Sequence, residues 1–242
     1  MKIDTIVFDY GHTLIDLAPF ETIMEPYQRG ISEILARTHP NRTDQMEIAQ
    51  RIVLYMEETI NRSYNENRQE DELILVEIVR SALSTEKINL SRLDCERIAE
   101  MDHELHGALS IVPSTTIETL INLKKNGFRL GVMSNTVFVK QWIHLLPILN
   151  NSNLLDAVVF SSDIGLRKPN HLTYDTILNE LNAKKEHALF VGDRIIEDIR
   201  GPQDFGFTAT ALTHEFRQEF DENNEADIIL TQISELLSFV RQ

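Results

Sequence analysis

Hydrophobic positions follow two different rules along this chain. Between residues 17 and 109 they recur at three and four residues, and no run there reads as a strand. That spacing predicts helices near 20–37, 43–64, 71–84 and 91–108. Ile48, Ile52, Tyr55, Met56 and Ile60 form one such stripe, and Leu73, Ile74, Val76, Ile78, Val79, Ala82 and Leu83 a nearly all-apolar helix. Both read as the core of a helical bundle rather than as a cofactor box. Breaks fall at His39-Pro40-Asn41 and around Asn65-Glu66-Asn67, and Ser91 suits the cap of the last helix. Elsewhere strand and helix alternate. Ile6-Val7-Phe8 is a short apolar strand. After Val112 come helix 114–126 ending at Gly127, strand 128–134, helix 137–149, strand 157–161, helix 169–182, strand 187–192, helix 195–205 and strand 207–212, then a last strand at 227–230 and helix at 232–241. This alternation predicts an α/β fold with a doubly wound parallel sheet. Residues 1–16 and 110–242 would form that core, and 17–109 an inserted helical domain.

The strands end on polar residues. Ile6-Val7-Phe8 runs into Asp9, Leu130-Gly131-Val132-Met133 into Ser134-Asn135-Thr136, and Ala188-Leu189-Phe190-Val191-Gly192 into Asp193. In a parallel sheet all carboxyl ends share one edge, where open α/β folds bind ligands, so Asp9, Ser134 and Asp193 must face a common crevice. Taken singly, each has a plainer reading: Asp9 as a turn residue, Ser134 as a helix cap, Lys168 as a solvated lysine. Pro169 reads as the first residue of a helix. Lys168 beside it would face the positive end of the helix dipole, which is unfavourable unless an anion binds there.

Charge narrows the partners. The 242 residues carry a net charge of −15, which argues against nucleic acid or an anionic membrane surface. A phosphate-bearing substrate would therefore need local positive charge from a metal, Lys168 and helix N-terminal amides. The single cysteine, Cys95, excludes an internal disulfide. Asp4 and Asp9 interrupt the only apolar stretch near the N-terminus, so no signal-peptide pattern is seen. No apolar run approaches the ~18 residues of a membrane span. The expected address is the cytoplasm. His103 and His106 read as exposed polar residues on an acidic helix rather than a metal pair, and His214 to Ala226 as a solvated loop. Gly201 and Gly206 have the spacing of a nucleotide loop but are followed by Phe207, which breaks it.

Four segments in order carry a family resemblance. Phe8-Asp9-Tyr10-Gly11-His12-Thr13-Leu14 resembles the first motif of the haloacid dehalogenase (HAD) superfamily, Asp-x-Asp-Gly-Thr-Leu. The strand ending at Ser134 is similar to the second, Gly165-Leu166-Arg167-Lys168-Pro169 supplies the lysine of the third, and Gly192-Asp193 followed by Asp198 matches the Gly-Asp-x(3–4)-Asp metal motif. The insertion resembles the cap of subfamily I in position, size and helical character alone. The resemblance implies that Asp9 is a nucleophile forming an aspartyl-phosphate. It further implies Mg2+ held by Asp9, the Gly11 carbonyl, Asp193 and Asp198, with Glu197 meeting the shorter spacing. Ser134, Asn135, Thr13 and Lys168 would bind the substrate phosphate, Thr13 also anchoring the turn.

The first motif also departs from the family. Position 11 is Gly where family phosphatases carry a second Asp, the general acid/base, and position 12 is His where they carry Gly. Such assistance contributes typically ~10²–10⁴ in rate. His12, with an ordinary pKa of ~6.5, is a candidate for the proton transfer, although one residue further along a turn a side chain points elsewhere. Three readings stay open: a Mg2+-dependent hydrolase of a small phosphorylated metabolite with a good leaving group such as an acyl phosphate; a weak or inactive relative binding a phospho-ligand or a protein; and a metal-free 2-haloacid dehalogenase. A P–C hydrolase would need a cap lysine, and Lys87 is the only lysine between residues 16 and 112.

Overall fold

The computed structural model describes residues 3–65, 70–220, 223 and 225–240; part of the predicted break at Asn65-Glu66-Asn67 lies outside the described residues. Six strands, β1 (Thr5–Phe8), β2 (Arg129–Ser134), β3 (Ala157–Phe160), β4 (Ala188–Gly192), β5 (Ala209–Thr213) and β6 (Ile228–Leu230), form one sheet in the order β3-β2-β1-β4-β5-β6. Every pairing is parallel. Successive residues of a strand point to opposite faces, and β1 shows what that does here. Ile6 and Phe8 pack with Leu130, Val132, Leu120 and Leu123, the last two on α5 (Ser114–Lys125). Val7 packs on the other face with Met133, Phe190 and Tyr174, the last on α7 (His171–Glu180). A strand buried on both faces reads as a continuous apolar run, which is why Ile6-Val7-Phe8 has no polar alternation. Shorter helices are α6 (Ser161–Ile164), α8 (Gly201–Phe205) and α9 (Leu236–Phe239).

Between β1 and α5 lie α1 (Phe20–Thr38), α2 (Gln45–Asn65), α3 (Leu75–Thr85) and α4 (Arg92–Leu109). Ile31, Leu35, Ile48, Ile52, Val79 and Ile98 meet in one buried cluster among them, the bundle core expected from the periodicity. Ser91 caps α4, its hydroxyl accepting from the Asp94 N–H at 3.1 Å. The third helix starts at Leu75 rather than near 71 because the preceding backbone is engaged elsewhere. Glu72 N–H donates to the Gly165 carbonyl and Arg167 N–H to that of Glu70, at 2.9 and 2.7 Å. No described helix is long and apolar enough to cross a membrane.

Two expectations are corrected. The segment 137–149 is not an α-helix; it holds a single 3₁₀ stretch, Lys140–Leu145, preceded by irregular chain and followed by a turn. Pro147 cannot continue a helix, and Val139, extended at φ −104° and ψ 128°, keeps the chain ahead of it out of one; there Thr136 N–H donates to Ser161 Oγ and Val139 N–H to His103 Nε2, at 2.7 and 2.6 Å. Pro169 is not the first residue of α7. That helix starts at His171, with Asn170 as its cap accepting from the Leu172 N–H at 3.0 Å.

Candidate active site

β1 is hydrogen-bonded between β2 and β4, so three strand ends converge where the winding reverses. Phe8 sits level with Val132 and Val191, which places Asp9, Ser134 and Asp193 at one edge of the sheet. Asp9 is fixed by its N–H, which donates to the Val191 carbonyl at 2.8 Å. Asp198 returns to the same point on the π-helical turn Ile195–Arg200. Its Oδ2 accepts the N–H groups of Asp193 and Arg194 at 3.2 and 3.0 Å. That return needs glycine at 192, because a Cβ there would collide with the Asp198 carboxyl group. Asp198 therefore completes the cluster. Glu197 holds α7 through its carbonyl, which accepts from the Tyr174 hydroxyl at 2.6 Å.

Lys168 binds the cluster together. Its Nζ donates to Asp9 Oδ1 at 2.8 Å and to Asp198 Oδ1 at 2.6 Å, with all three side chains nearly or wholly buried. Asn135 sets the height of that lysine: its side chain accepts from the Lys168 N–H at 2.7 Å and donates to the Lys168 carbonyl at 2.9 Å. Burial alone would pull the Lys168 pKa down, but the charges of Asp198 and Asp9 outweigh it and hold the ammonium above its ordinary range. Burial lifts the carboxylates. Asp193 is pushed up to about 6 by burial and then by the charge of Asp9, against the pull of Arg217, Arg194 and Lys168. Burial raises Asp198 likewise, with Lys168 opposing.

Asp9, Asp193 and Asp198 bring carboxylate oxygens within 4.8 Å of one another. Three carboxylates so close lack positive charge even with Lys168 among them. A hard cation that takes oxygen ligands fits both the donor set and that deficit.

The other site residues predicted from sequence are placed as follows. Ser134 and Asn135 line the same cavity as Asp9 and Lys168. Thr13 lies beneath it, fully buried, with its hydroxyl 3.5 Å from Asp193 Oδ1. His12 lines the cavity in a left-handed backbone conformation, φ 58°, and its Nδ1 lies 3.5 Å from Asp16 Oδ1. Burial first, and the Arg217 charge second, lower its pKa. A side chain at Gly11 would run into Leu17. His103 is fully buried, contrary to its reading as an exposed residue, and its Nδ1 lies 3.0 Å from the Ala99 carbonyl.

Sequence reading missed two cationic side chains. Arg217, in the segment read as a solvated loop, reaches back so that its Nη1 lies 2.9 Å from Asp193 Oδ2. Its one sequence signal is being the only basic residue between His214 and Ala226. Arg167 is paired with the buried Glu72 and stands 3.6 Å over the Tyr64 ring. Glu72 also accepts from the Tyr64 and Ser161 hydroxyls at 2.9 and 2.5 Å, so the residue beside Lys168 is anchored to the helical insertion.

Above the cluster opens a cavity of about 500 Å³, walled on the sheet side by Asp9, Ser134, Lys168 and Asp193 and on the other by α1, α2 and α4. The parallel sheet, its switch-point carboxylates and the bridging lysine define a hydrolase of one family. The chain belongs to the haloacid dehalogenase-like hydrolases, whose family description matches residues 3–206. The glyceraldehyde 3-phosphate phosphatase of Methanothermobacter thermautotrophicus is 36% identical over 128 residues, 51% of this chain and 56% of that protein. The chain thus spans about half the length of that relative. The pyrophosphatase PpaX of Bacillus mycoides is 27% identical over 98% of this chain and 96% of its own. Among solved structures, a HAD phosphatase from Thermococcus onnurineus matches with a TM-score of 0.63 and 18% identity over 100% of this chain and 98% of its own. A 2-haloacid dehalogenase from Pseudomonas syringae matches at 0.67 and 19%, over 98% and 97%. These two share the fold.

Proposed function

We propose that the protein is a Mg2+-dependent phosphohydrolase of a small phosphorylated metabolite, acting through an aspartyl-phosphate on Asp9, with residues 17–109 as a cap over the site. The observation that carries this is the buried contact of Lys168 with both Asp9 and Asp198 at the sheet's switch point. A site built only for carbon–halogen cleavage would not need the additional carboxylates of Asp193 and Asp198. The names of the two relatives above support a phosphorylated substrate.

In this reading one Asp9 oxygen bonds to phosphorus as the bond to the leaving-group oxygen breaks, and that oxygen departs with the bonding pair. Water then adds to phosphorus, its proton passes to solvent, and cleavage of the Asp9–phosphorus bond regenerates the carboxylate and releases phosphate. Lys168 offsets charge on Asp9 and on the transferring group, and Ser134 donates to a phosphate oxygen. Mg2+ held by Asp9, the Gly11 carbonyl, Asp193 and Asp198 would supply Lewis-acid stabilisation of the phosphoryl oxygens. Position 11 offers no acid, so the leaving group departs without a proton from that position. This favours weakly basic leaving groups such as the carboxylate of an acyl phosphate or the phosphate of an anhydride. The test is hydrolysis of acyl phosphates, pyrophosphate and alkyl phosphates with and without Mg2+, with acid-quenched trapping of phosphoenzyme. Mg2+-dependent release and label on Asp9 are expected; Mg2+-independent turnover of haloacids with no phosphoenzyme would replace this reading with the dehalogenase one.

A further inference from the structure

The cavity over Asp9 has a second polar wall that phosphoryl transfer does not use. Glu57 and Asn61 on α2 and Asp102 and His106 on α4 face the same space as Asp9, among the apolar side chains of Val53 and Met56. Asp102 is 14% exposed, and no described residue donates a hydrogen bond to its carboxylate; the one basic group within ion-pair distance is the His106 ring, Nε2 to Oδ1 at 3.9 Å. That ring brings no charge, since burial pulls the His106 pKa down to about 4. Its Nδ1 is itself buried without a partner. Among the described residues Glu57 accepts a hydrogen bond only from Asn61 Nδ2, at 2.7 Å. Burial, and then the neighbouring charge of Asp102, raises its pKa. A carboxylate at Asp102, set in a largely apolar wall beside a neutral imidazole and with a second carboxylate, Glu57, on the same wall, is a costly arrangement for the protein alone.

An ammonium group relieves it. It carries one positive charge and three donors on a compact head, which the Asp102 carboxylate lacks, and the Glu57 carboxylate on the same wall adds negative charge nearby. A neutral hydroxyl would bring one donor and no charge. At the opposite end of the cavity the cation is the protein's own, Lys168 with Arg217 beside it. We infer that Asp102 and Glu57 bind a protonated amine on the leaving group, so that the substrate is a phosphorylated amine held by its phosphate against Asp9 and Lys168 and by its ammonium against the helical insertion. This rests on the phosphohydrolase reading above.

The probes are non-hydrolysable phosphonates titrated calorimetrically into the Mg2+-loaded full-length protein at neutral pH. Aminopropylphosphonate is compared with n-butylphosphonate, which replaces the ammonium by a methyl group, and the comparison is repeated with longer homologues of each. In at least one pair the amine should bind tighter by about tenfold or more, as a charge-assisted contact warrants. Asp102→Asn should reduce that preference to about twofold or less, and Glu57→Gln should weaken it. Equal binding within every pair, tighter binding of the methyl compound, or a preference that survives both substitutions would overturn the inference. The comparison in the unmodified protein does not depend on either variant folding. Inorganic phosphate and beryllofluoride separate the two levels. If they bind and the amine preference is absent, the cap-side site alone is lost; if they fail as well, the phosphohydrolase reading has failed and this inference with it.

Discussion

The side chain of Leu17 fills the space into which any side chain at position 11 would project. The two residues lie on either side of the turn that follows Asp9, and both line the cavity. Glycine at position 11 thus leaves room that the end of the Leu17 side chain occupies. Gly11→Asp alone should give little gain in hydrolysis of an alkyl phosphate, because the new carboxylate must first displace Leu17. Gly11→Asp with Leu17→Ala should raise turnover by about tenfold or more, the lower part of what general acid/base assistance provides. Steady-state rates and the lifetime of trapped phosphoenzyme measure both. Equal rates in the single and double variants would show that Leu17 yields freely.

Among the described residues Lys168 is the one cation in ion-pair contact with Asp9 and Asp198. Lys168→Met should therefore destabilise the protein by about 3–5 kcal/mol at pH 7, the range for removing one partner of a buried ion pair. The loss should shrink toward pH 5, where protonation relieves Asp198, whose pKa burial raises. Urea melts at the two pH values test this; a variant as stable as the native protein at pH 7 would place the lysine outside the electrostatic balance of the site.

Arg217 and a metal ion would compete for Asp193, since Arg217 Nη1 already lies 2.9 Å from one of its oxygens. Arg217→Ala should tighten Mg2+ binding several-fold, on the order of 1 kcal/mol for a partly exposed pair. The same change should weaken inorganic phosphate binding, because a cation at the cavity wall is lost. Calorimetric titration with each ion gives both signs; weaker Mg2+ binding would mean that the arginine positions Asp193 for the metal instead.

Asp102 gives a stability effect with a definite sign. Burial pushes its pKa up to about 6 from the usual 3.8. Between those values the folded state holds the proton that the unfolded state has lost, so this residue's contribution falls as pH rises through the window. His106, lowered to about 4, acts oppositely: its contribution rises with pH from about 4 to the ordinary value near 6.5. Each is worth about 3 kcal/mol across its range, and in the native protein they offset. Asp102→Asn should leave the histidine slope exposed, giving a steeper rise of stability between pH 4 and 6 than the native chain shows. Thermal melts at pH 4, 5 and 6 compare the slopes, and parallel curves would show that Asp102 titrates normally.

Much of this was legible from residue order. Parallel strands end on one edge, so Asp9, Ser134 and Asp193 could be gathered into a single crevice from alternation and strand-end chemistry alone. The four insertion helices were visible because a bundle core imposes spacing at three and four residues. Apolar spacing misled at 137–149, where Pro147 interrupts a helix and the contacts of Thr136 and Val139 with Ser161 Oγ and His103 Nε2 accompany an extended chain ahead of it. His103 looked like a surface residue because its acceptor role depends on Val139, 36 positions away.

The sequence by itself therefore determined the doubly wound sheet, the helical insertion and two members of the acidic cluster, Asp9 and Asp193, since each follows from periodicity or from the position of a residue at a strand's end. Only the tertiary structure decided that Asp198 rather than Glu197 completes the cluster, that Arg217 reaches Asp193 from 24 residues away, that Leu17 occupies the place of a side chain at Gly11, and that Asp102 and Glu57 line the same cavity as the nucleophile. The reason is physical. Periodicity and strand polarity are properties of the local backbone, whereas the contact of two side chains on different elements depends on helix length, turn geometry and packing summed over every residue between them.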